Sequence, residues 1–310
     1  MRVTIVYGVP PGSRKFDMWH DGFTAAVEVL SDLHDIEWIN ALSATPQMLE
    51  RAVAATDVVL VKSSFGGAPD AWSRPVLAHF PSVPTCLMIS GTGPPRRGDL
   101  GRFDVLFHET DWYLPFVARH PNVIHAFGVD TTIMRPRREV PKDIDWLMVG
   151  QPAFYKRPDE LLSLTGRRVL VGDLRGVPER TIRDLVNGGI DVLDFVPYHE
   201  LAEYYARATT VVVACTLHGG GERSVLEARA CGTDVRVPED NPKLRELLAG
   251  PIHDHQYYAR QLAIGLTLAL EQPMPLRSKL GSHAHRRTAE SRWASLARRA
   301  LRGMDRWSSR

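Results

Sequence analysis

Short apolar runs bounded by Pro, Gly or Asp recur through the first half of the chain: Val3 to Tyr7, Val58 to Lys62, Thr85 to Ser90, Val105 to His108 and Val123 to Ala126. Continuous runs of this length suit strands buried on both faces. Between the first two, the spacing of Phe23, Val27 and Leu30 predicts a helix over Trp19 to Leu30, and Pro46 to Ala55 carries a second helical pattern. Strand alternates with helix, which predicts a parallel sheet covered by helices. The rhythm stops at Arg135-Pro136-Arg137-Arg138-Glu139-Val140-Pro141-Lys142, whose two prolines and missing periodicity suit a linker. It restarts with strands at Trp146 to Gly150, Arg168 to Gly172, Asp191 to Val196 and Thr210 to Ala214, and with helical patterns at Pro158 to Leu164, Pro178 to Asn187 and Tyr198 to Ala206. Two more helices follow, Asp254 to Leu270 and Thr288 to Met304; the second carries Trp293, Leu296, Ala300 and Met304 on one stripe.

The expected organisation is α/β. Two Rossmann-like, doubly wound domains, residues 1–134 and 143–275, are joined by a linker at 135–142. A helical segment, 276–310, is expected to pack back on the first domain. Open α/β sheets bind ligands beyond the carboxyl ends of their strands, so the crevice between the two domains is where function is expected.

Composition narrows the class. The chain has 310 residues, 44% hydrophobic and 24% charged, enough for two cores and unlike a disordered or fibrous protein. Its apolar runs, such as Ala263 to Leu270, are shorter than the roughly 20 residues that cross a bilayer, and Met1-Arg2-Val3 opens directly into a strand pattern, so a cytoplasmic protein is expected. Cys86, Cys215 and Cys231 show no CxxC spacing, which supports neither a disulfide framework nor a zinc knuckle. The net charge of +2 conceals an asymmetry: residues 275–310 hold ten Lys or Arg against Glu290 and Asp305, a balance of +8, which leaves −6 on the rest. Such a segment meets nucleic acid, anionic lipid or an acidic face of its own protein.

The stretch richest in chemistry runs from Thr216 to Gly232 (Thr216-Leu217-His218-Gly219-Gly220-Gly221-Glu222-Arg223-Ser224-Val225-Leu226-Glu227). A strand ends at Cys215, three glycines let backbone approach a ligand, and a helix opens near Glu222. Amides at a helix start favour an anion such as a diphosphate. Glu227, one turn in, has the acceptor geometry for a ribose diol. A plain turn and an ordinary helix with a solvated Glu fit the same residues.

Order and spacing over residues 123–248 resemble the GT-B glycosyltransferases, in particular the large retaining family 4. Gly128-Val129-Asp130 with Arg135-Pro136 is similar to that family's GVD…P segment. Val149-Gly150 followed by Lys156-Arg157-Pro158-Asp159 resembles the strand and loop whose Lys holds the donor diphosphate. Val171-Gly172-Asp173 and the strand ending at Val196 resemble the pair that cradles the base. Thr216 to Gly232 resembles S-x-x-E-G-x-G-x-x-x-L-E-A-x-A-x-G. The resemblance implies a GT-B fold and sugar transfer from a UDP- or GDP-sugar, with retention, no metal and no tightly bound cofactor. Lys156 and Glu222 are then the candidate catalytic residues. Donor contacts fall on Gly12, Gly150, Arg157, Asp173, Val196, Thr216, His218, Gly219, Gly220, Gly221, Arg223, Ser224, Val225 and Glu227, and acceptor contacts on Ser90, Thr92 and Trp112.

The chain departs from the family pattern in particular places. Gly219 stands where the first Glu of the pair belongs, with Glu222 or His218 as substitutes; Gln151 replaces an Arg; Asp234 replaces a Pro; Ser90 and Thr92 stand where a His is usual. Asp143-Ile144-Asp145 has the form of a DxD metal motif but lies at the linker exit and reads as structure, as does His253-Asp254-His255, whose Asp suits a helix N-cap. The acceptor stays open among glycan or lipid, protein, small molecule and modified nucleobase. The alternative of another class is a non-catalytic nucleotide-sugar or nucleic-acid binding protein that uses the basic C-terminal segment.

Overall fold

A computed structural model describes residues 1–9, 20–62, 78–80, 82–89, 100–101 and 103–271. Gly12, Ser90 and Thr92, the helix expected over Thr288 to Met304 and the basic segment 276–310 lie outside the described residues.

The first domain is built on six parallel strands: β1 (Arg2–Tyr7), β2 (Asp35–Asn40), β3 (Val58–Lys62), β4 (Thr85–Ile89), β5 (Val105–His108) and β6 (Val123–His125). They lie in the order β2-β1-β3-β4-β5-β6. The apolar runs expected as strands form five of them. The sixth, β2, lies at the sheet edge, where only Ile39 is fully buried and Asp35 and Glu37 meet solvent; an edge strand has no continuous apolar run to betray it. Two helices, α1 (Gly22–Ser31) and α2 (Pro46–Ala55), fall within the expected patterns. Asp21 starts α1 by accepting the Phe23 and Thr24 amides at 3.0 Å, while its own amide donates to the Thr24 hydroxyl. A single turn, α3 (Leu114–Val117), follows β5.

The second domain holds β7 (Ile144–Val149), β8 (Arg168–Val171), β9 (Ile190–Leu193), β10 (Ala208–Val212) and β11 (Asp234–Arg236), all parallel, in the order β11-β10-β7-β8-β9. Its helices are α4 (Glu179–Asn187), α5 (Tyr198–Arg207), α6 (Glu222–Ala230) and α7 (Pro242–Ala249). The pattern at Pro158 to Leu164 forms a 3-10 segment, Pro158–Ser163, entered from Arg157 in the left-handed region at φ 49°. The order reverses between β10 and β7, so this switch point opens a crevice beyond their carboxyl ends.

The last described helix, α8 (His255–Glu271), is capped by Asp254, whose carboxylate accepts the Tyr257 amide at 2.7 Å. Although it falls within the 143–275 span, α8 packs on the first sheet. Tyr258 lies against Phe23 and Phe127, and Gly265 sits so close to Phe107 that a β-carbon there would be 2.3 Å from the ring. The chain therefore crosses between domains twice, side by side: the Val129 amide of the Gly128-Val129-Asp130 segment donates to the His253 carbonyl at 3.0 Å. No described helix is long and apolar enough to cross a membrane.

Candidate active site

The second-domain wall of the crevice is made by the ends of β7 and β10 and the start of α6. The Thr216 amide donates to the Tyr155 carbonyl, tying the loop after β10 to the 3-10 turn Phe154–Lys156 after β7. The buried Asn241 side chain donates to the Cys215 and Thr216 carbonyls at 3.0 and 3.1 Å while its oxygen accepts the Leu244 amide, so one residue caps α7 and clamps the same loop. Gly221, at φ 99°, turns the chain into α6, and no side chain caps that helix, which leaves its first amides at the positive end of the helix dipole without a capping side chain.

Lys156 is brought to this loop. Its Nζ lies 3.6 Å from the points that β-carbons would occupy on Gly150 and on Gly220. Burial raises the pKa of the Cys215 thiol, and the adjacent Lys156 ammonium works in the opposite direction. The second Glu222 oxygen is 3.7 Å from the Gly220 position, so Lys156 and Glu222 flank the same backbone. Gly219, where the family's first Glu belongs, has no room for any side chain: a β-carbon there would be 2.4 Å from the Tyr155 carbonyl oxygen. The departure is built into the backbone.

The other expected donor residues are distributed unevenly. Gly150 (φ 129°) and Gly220 (φ 75°) line the loop beside Lys156, and Thr216 stands at its start. Ser224 and Val225 are buried in the first turn of α6, and His218 is exposed at the loop tip. Glu227 is buried and Oε2 accepts the Tyr205 hydroxyl at 2.8 Å; burial raises its pKa against the pull of Arg223. Arg157 is turned to Asp240, which it binds through two nitrogens at 3.1 and 2.6 Å. Asp173 is held by Arg175 in its own loop, and Val196 is half-buried at the edge of the core. Asp143 and Asp145 sit at the amino end of β7, at the opposite edge of the sheet from the crevice. Asp143 pairs with Arg167 and Arg207, and Asp145 accepts the Arg167 amide. Among the described residues no group of three or more His, Cys, Asp or Glu side chains converges as a metal site would require.

Across the crevice the two domains are joined by charged groups, of which sequence reasoning singled out Arg223 and Glu222 but not Asp21, Lys62, Glu109 or Lys243. Arg223, second in α6, donates to Asp21 of the first domain at 2.7 Å. Lys243, fully buried at the start of α7, pairs with Glu222 at 2.6 Å and lies over the rings of Trp112 and Tyr113. Trp112, expected to stack on an acceptor, is fixed between the domains: its amide and that of Asp111 donate to Glu246 at 2.9 and 2.5 Å, and its ring packs on Tyr113 and Phe116. At the carboxyl edge of the first sheet stand Lys62, ending β3, and Glu109, following β5; both are buried. Burial lowers the Lys62 pKa and raises that of Glu109 to about 7, with Lys62 opposing and Glu222 adding to the rise. A charged residue at or just beyond the carboxyl end of a buried strand is the signal that was available for both, since such ends face the crevice of an open sheet.

Two successive doubly wound domains, with parallel sheets of six and five strands facing one crevice, define the GT-B class of glycosyltransferase folds. No family model matches the chain, and no curated protein does. Among solved structures it is similar to a glycosyltransferase from Rickettsia africae ESF-5, at 13% identity and a TM-score of 0.55 over 99% of this chain and 98% of that one. It is similar also to Anabaena Alr3699/HepE in complex with UDP, at 11% identity and a TM-score of 0.57 over 98% and 99%. A third is an alpha-glucosyltransferase in complex with UDP-glucose and DNA containing an abasic site, at 12% identity and 0.52 over 100% and 93%.

Proposed function

We propose that this protein is a glycosyltransferase that moves a sugar from a nucleotide-diphosphate sugar, UDP- or GDP-linked, to an acceptor bound against the first domain. The observation that carries the proposal is the placement of Lys156 beside the uncapped start of α6, at the switch point of the second sheet. Similar chains that hold UDP, and UDP-glucose with DNA, support the same reading.

The principal barrier is departure of a diphosphate from a sugar that develops positive charge. Lys156 and the amides from Gly220 through Ser224 stabilise the charge growing on the leaving oxygens, an electrostatic contribution worth several kcal/mol when the groups are preorganised. Glu222, held by Lys243, keeps one oxygen toward the Gly220 loop and orients Lys156 and the donor there. Glu227 sets the ribose end of the pocket through its carboxylate, with Tyr205 as its partner. Lys156 takes the role that a divalent cation fills elsewhere, so the reaction is proposed to run without a metal. Retention at the anomeric carbon is carried into the proposal by the family resemblance.

Incubation with a panel of UDP- and GDP-sugars in EDTA is expected to release nucleoside diphosphate, and the anomeric coupling of the first-formed product, read by proton NMR, reports retention. Release that requires added magnesium or manganese overturns the metal-free assignment. Binding without release from any donor selects the non-catalytic binding protein, which the missing first Glu and the +8 segment favour.

A further inference from the structure

The starts of α1 and α6 are tied together across the crevice by an ion pair whose two oxygens do different things. Asp21 Oδ1 accepts the Phe23 and Thr24 amides at 3.0 Å each and so caps α1. Asp21 Oδ2 accepts Arg223 Nη1 at 2.7 Å. The carboxylate is firmly mounted: the Thr24 hydroxyl accepts the Asp21 amide at 2.7 Å, and Gly22 lies so close to the Gly128 carbonyl at the domain crossing that no β-carbon fits there. The Asp21 side chain is enclosed, at 3% exposure, whereas that of Arg223 is 48% exposed. Among the described residues Arg223 Nε and Nη2 make no hydrogen bond. These two nitrogens form the side-on edge of the guanidinium, the edge that binds an oxoanion through two parallel bonds. Arg157, by contrast, turns two nitrogens onto the single carboxylate of Asp240. Arg223 is also the second residue of α6, so its own amide belongs to the group that the proposed function assigns to the diphosphate. The Asp21 charge is met by two α1 amides and the positive end of that helix, which leaves the guanidinium its pull on an anion.

Resting on the nucleotide-sugar reading, we propose that Asp21 is a positioning residue for the donor: it holds Arg223 so that the Nε and Nη2 edge receives the diphosphate beside the first amides of α6. Lys156 meets the diphosphate from the loop after β7, and Arg223 meets it from the side of the first domain. A guanidinium fork already fixed by one nitrogen loses less freedom on binding phosphate than an unheld one, so the pair raises affinity for the diphosphate. Asp21 belongs to the first domain and Arg223 to the second, so the diphosphate site is complete only when the two domains stand together.

The test uses the full chain and equilibrium titration in EDTA with UMP and UDP, and with GMP and GDP, reading how much the second phosphate adds to affinity in the series that wild type binds. Asp21→Asn keeps an oxygen to cap α1 and puts an amide where Arg223 is held. It is expected to weaken diphosphate binding about tenfold with little change for the monophosphate, and Arg223→Gln is expected to weaken it by about 10- to 100-fold. The double variant is expected to bind no more weakly than Arg223→Gln alone, because Asp21 acts through Arg223. Asp21→Ser, which also caps a helix, and Arg223→Lys, which keeps the charge without the fork, are expected to lower the same preference and carry the test should the first variants fail to fold. A preference for diphosphate over monophosphate that the folded variants leave unchanged makes the pair a tie between domains and overturns the proposal. Tighter diphosphate binding by Asp21→Asn overturns it too, since Asp21 would then compete for Arg223. Failure of wild type to bind any of the four nucleotides overturns the nucleotide-sugar reading itself, an outcome separate from an unaltered phosphate preference in the variants.

Discussion

Lys156→Ala is expected to lower turnover of the nucleotide sugar by about a hundredfold or more while leaving the fold intact. Lys156 closes a three-residue 3-10 turn beside the crevice, and its ammonium reaches backbone at Gly150 and Gly220; among the described residues no carboxylate forms an ion pair with it. Removing it leaves no buried charge behind, so stability changes little. What is lost is a cation aimed at the oxygens on which charge develops, and an interaction stronger in the transition state than in the ground state appears in kcat. Steady-state kinetics with a thermal melt beside it checks both halves. Turnover within a few-fold of wild type in a folded Lys156→Ala variant removes Lys156 from the chemistry.

The second large effect is on stability. Lys243→Ala is expected to destabilise the protein by about 3–5 kcal/mol, because it leaves the Glu222 carboxylate buried without its partner. Both side chains are withdrawn from solvent, at 0% and 4% exposure, and the pair joins the first turns of α6 and α7 while resting on Trp112 and Tyr113 of the first domain. The uncapped start of α6 stabilises a negative charge somewhat, which moderates the loss. Replacing both partners by apolar or amide residues of similar volume, as in Glu222→Gln with Lys243→Met, is expected to recover most of it, since no lone charge then remains. Urea unfolding of the single and double variants measures the difference. A loss below about 1 kcal/mol for Lys243→Ala contradicts a strongly coupled buried pair.

The elements legible in the sequence were those whose burial is continuous. Val58–Lys62 and Val105–His108 read as strands because both faces are covered, and α8 read as a helix because one face meets the first sheet. β2 and β11 were not legible, as edge strands of mixed polarity and, for β11, only three residues. α7 was missed although Asn241 and Pro242 announce its start, because its eight residues offer few repeats of the helical period.

The site divides the same way. Gly219 to Glu227 and Lys156 lie in two short stretches whose order carries the resemblance, so their convergence on one loop could be anticipated from sequence. The cross-crevice groups could not be paired so. Asp21 and Arg223 are 202 positions apart and meet only because α1 and α6 present their amino ends to each other. Glu246 finds the Asp111 and Trp112 amides 135 and 134 positions away. Such contacts depend on how two separately readable domains are set together, and periodicity within either one carries no record of it. Even so, Lys62 and Glu109 were marked by a local feature, a charge at the carboxyl end of an apolar strand.

The central claim is that the second-domain wall binds the diphosphate of a nucleotide sugar through Lys156 and the start of α6. Thermal-shift titration with UDP-, GDP-, ADP- and TDP-sugars in EDTA, on wild type, Lys156→Ala and Glu227→Gln, tests it most directly. The account predicts that one nucleotide, at about a hundred times its Kd, stabilises wild type by about 2.7 kcal/mol without metal, and that both variants weaken the shift. No shift with any member of the panel, or one that Lys156→Ala leaves unchanged, contradicts it.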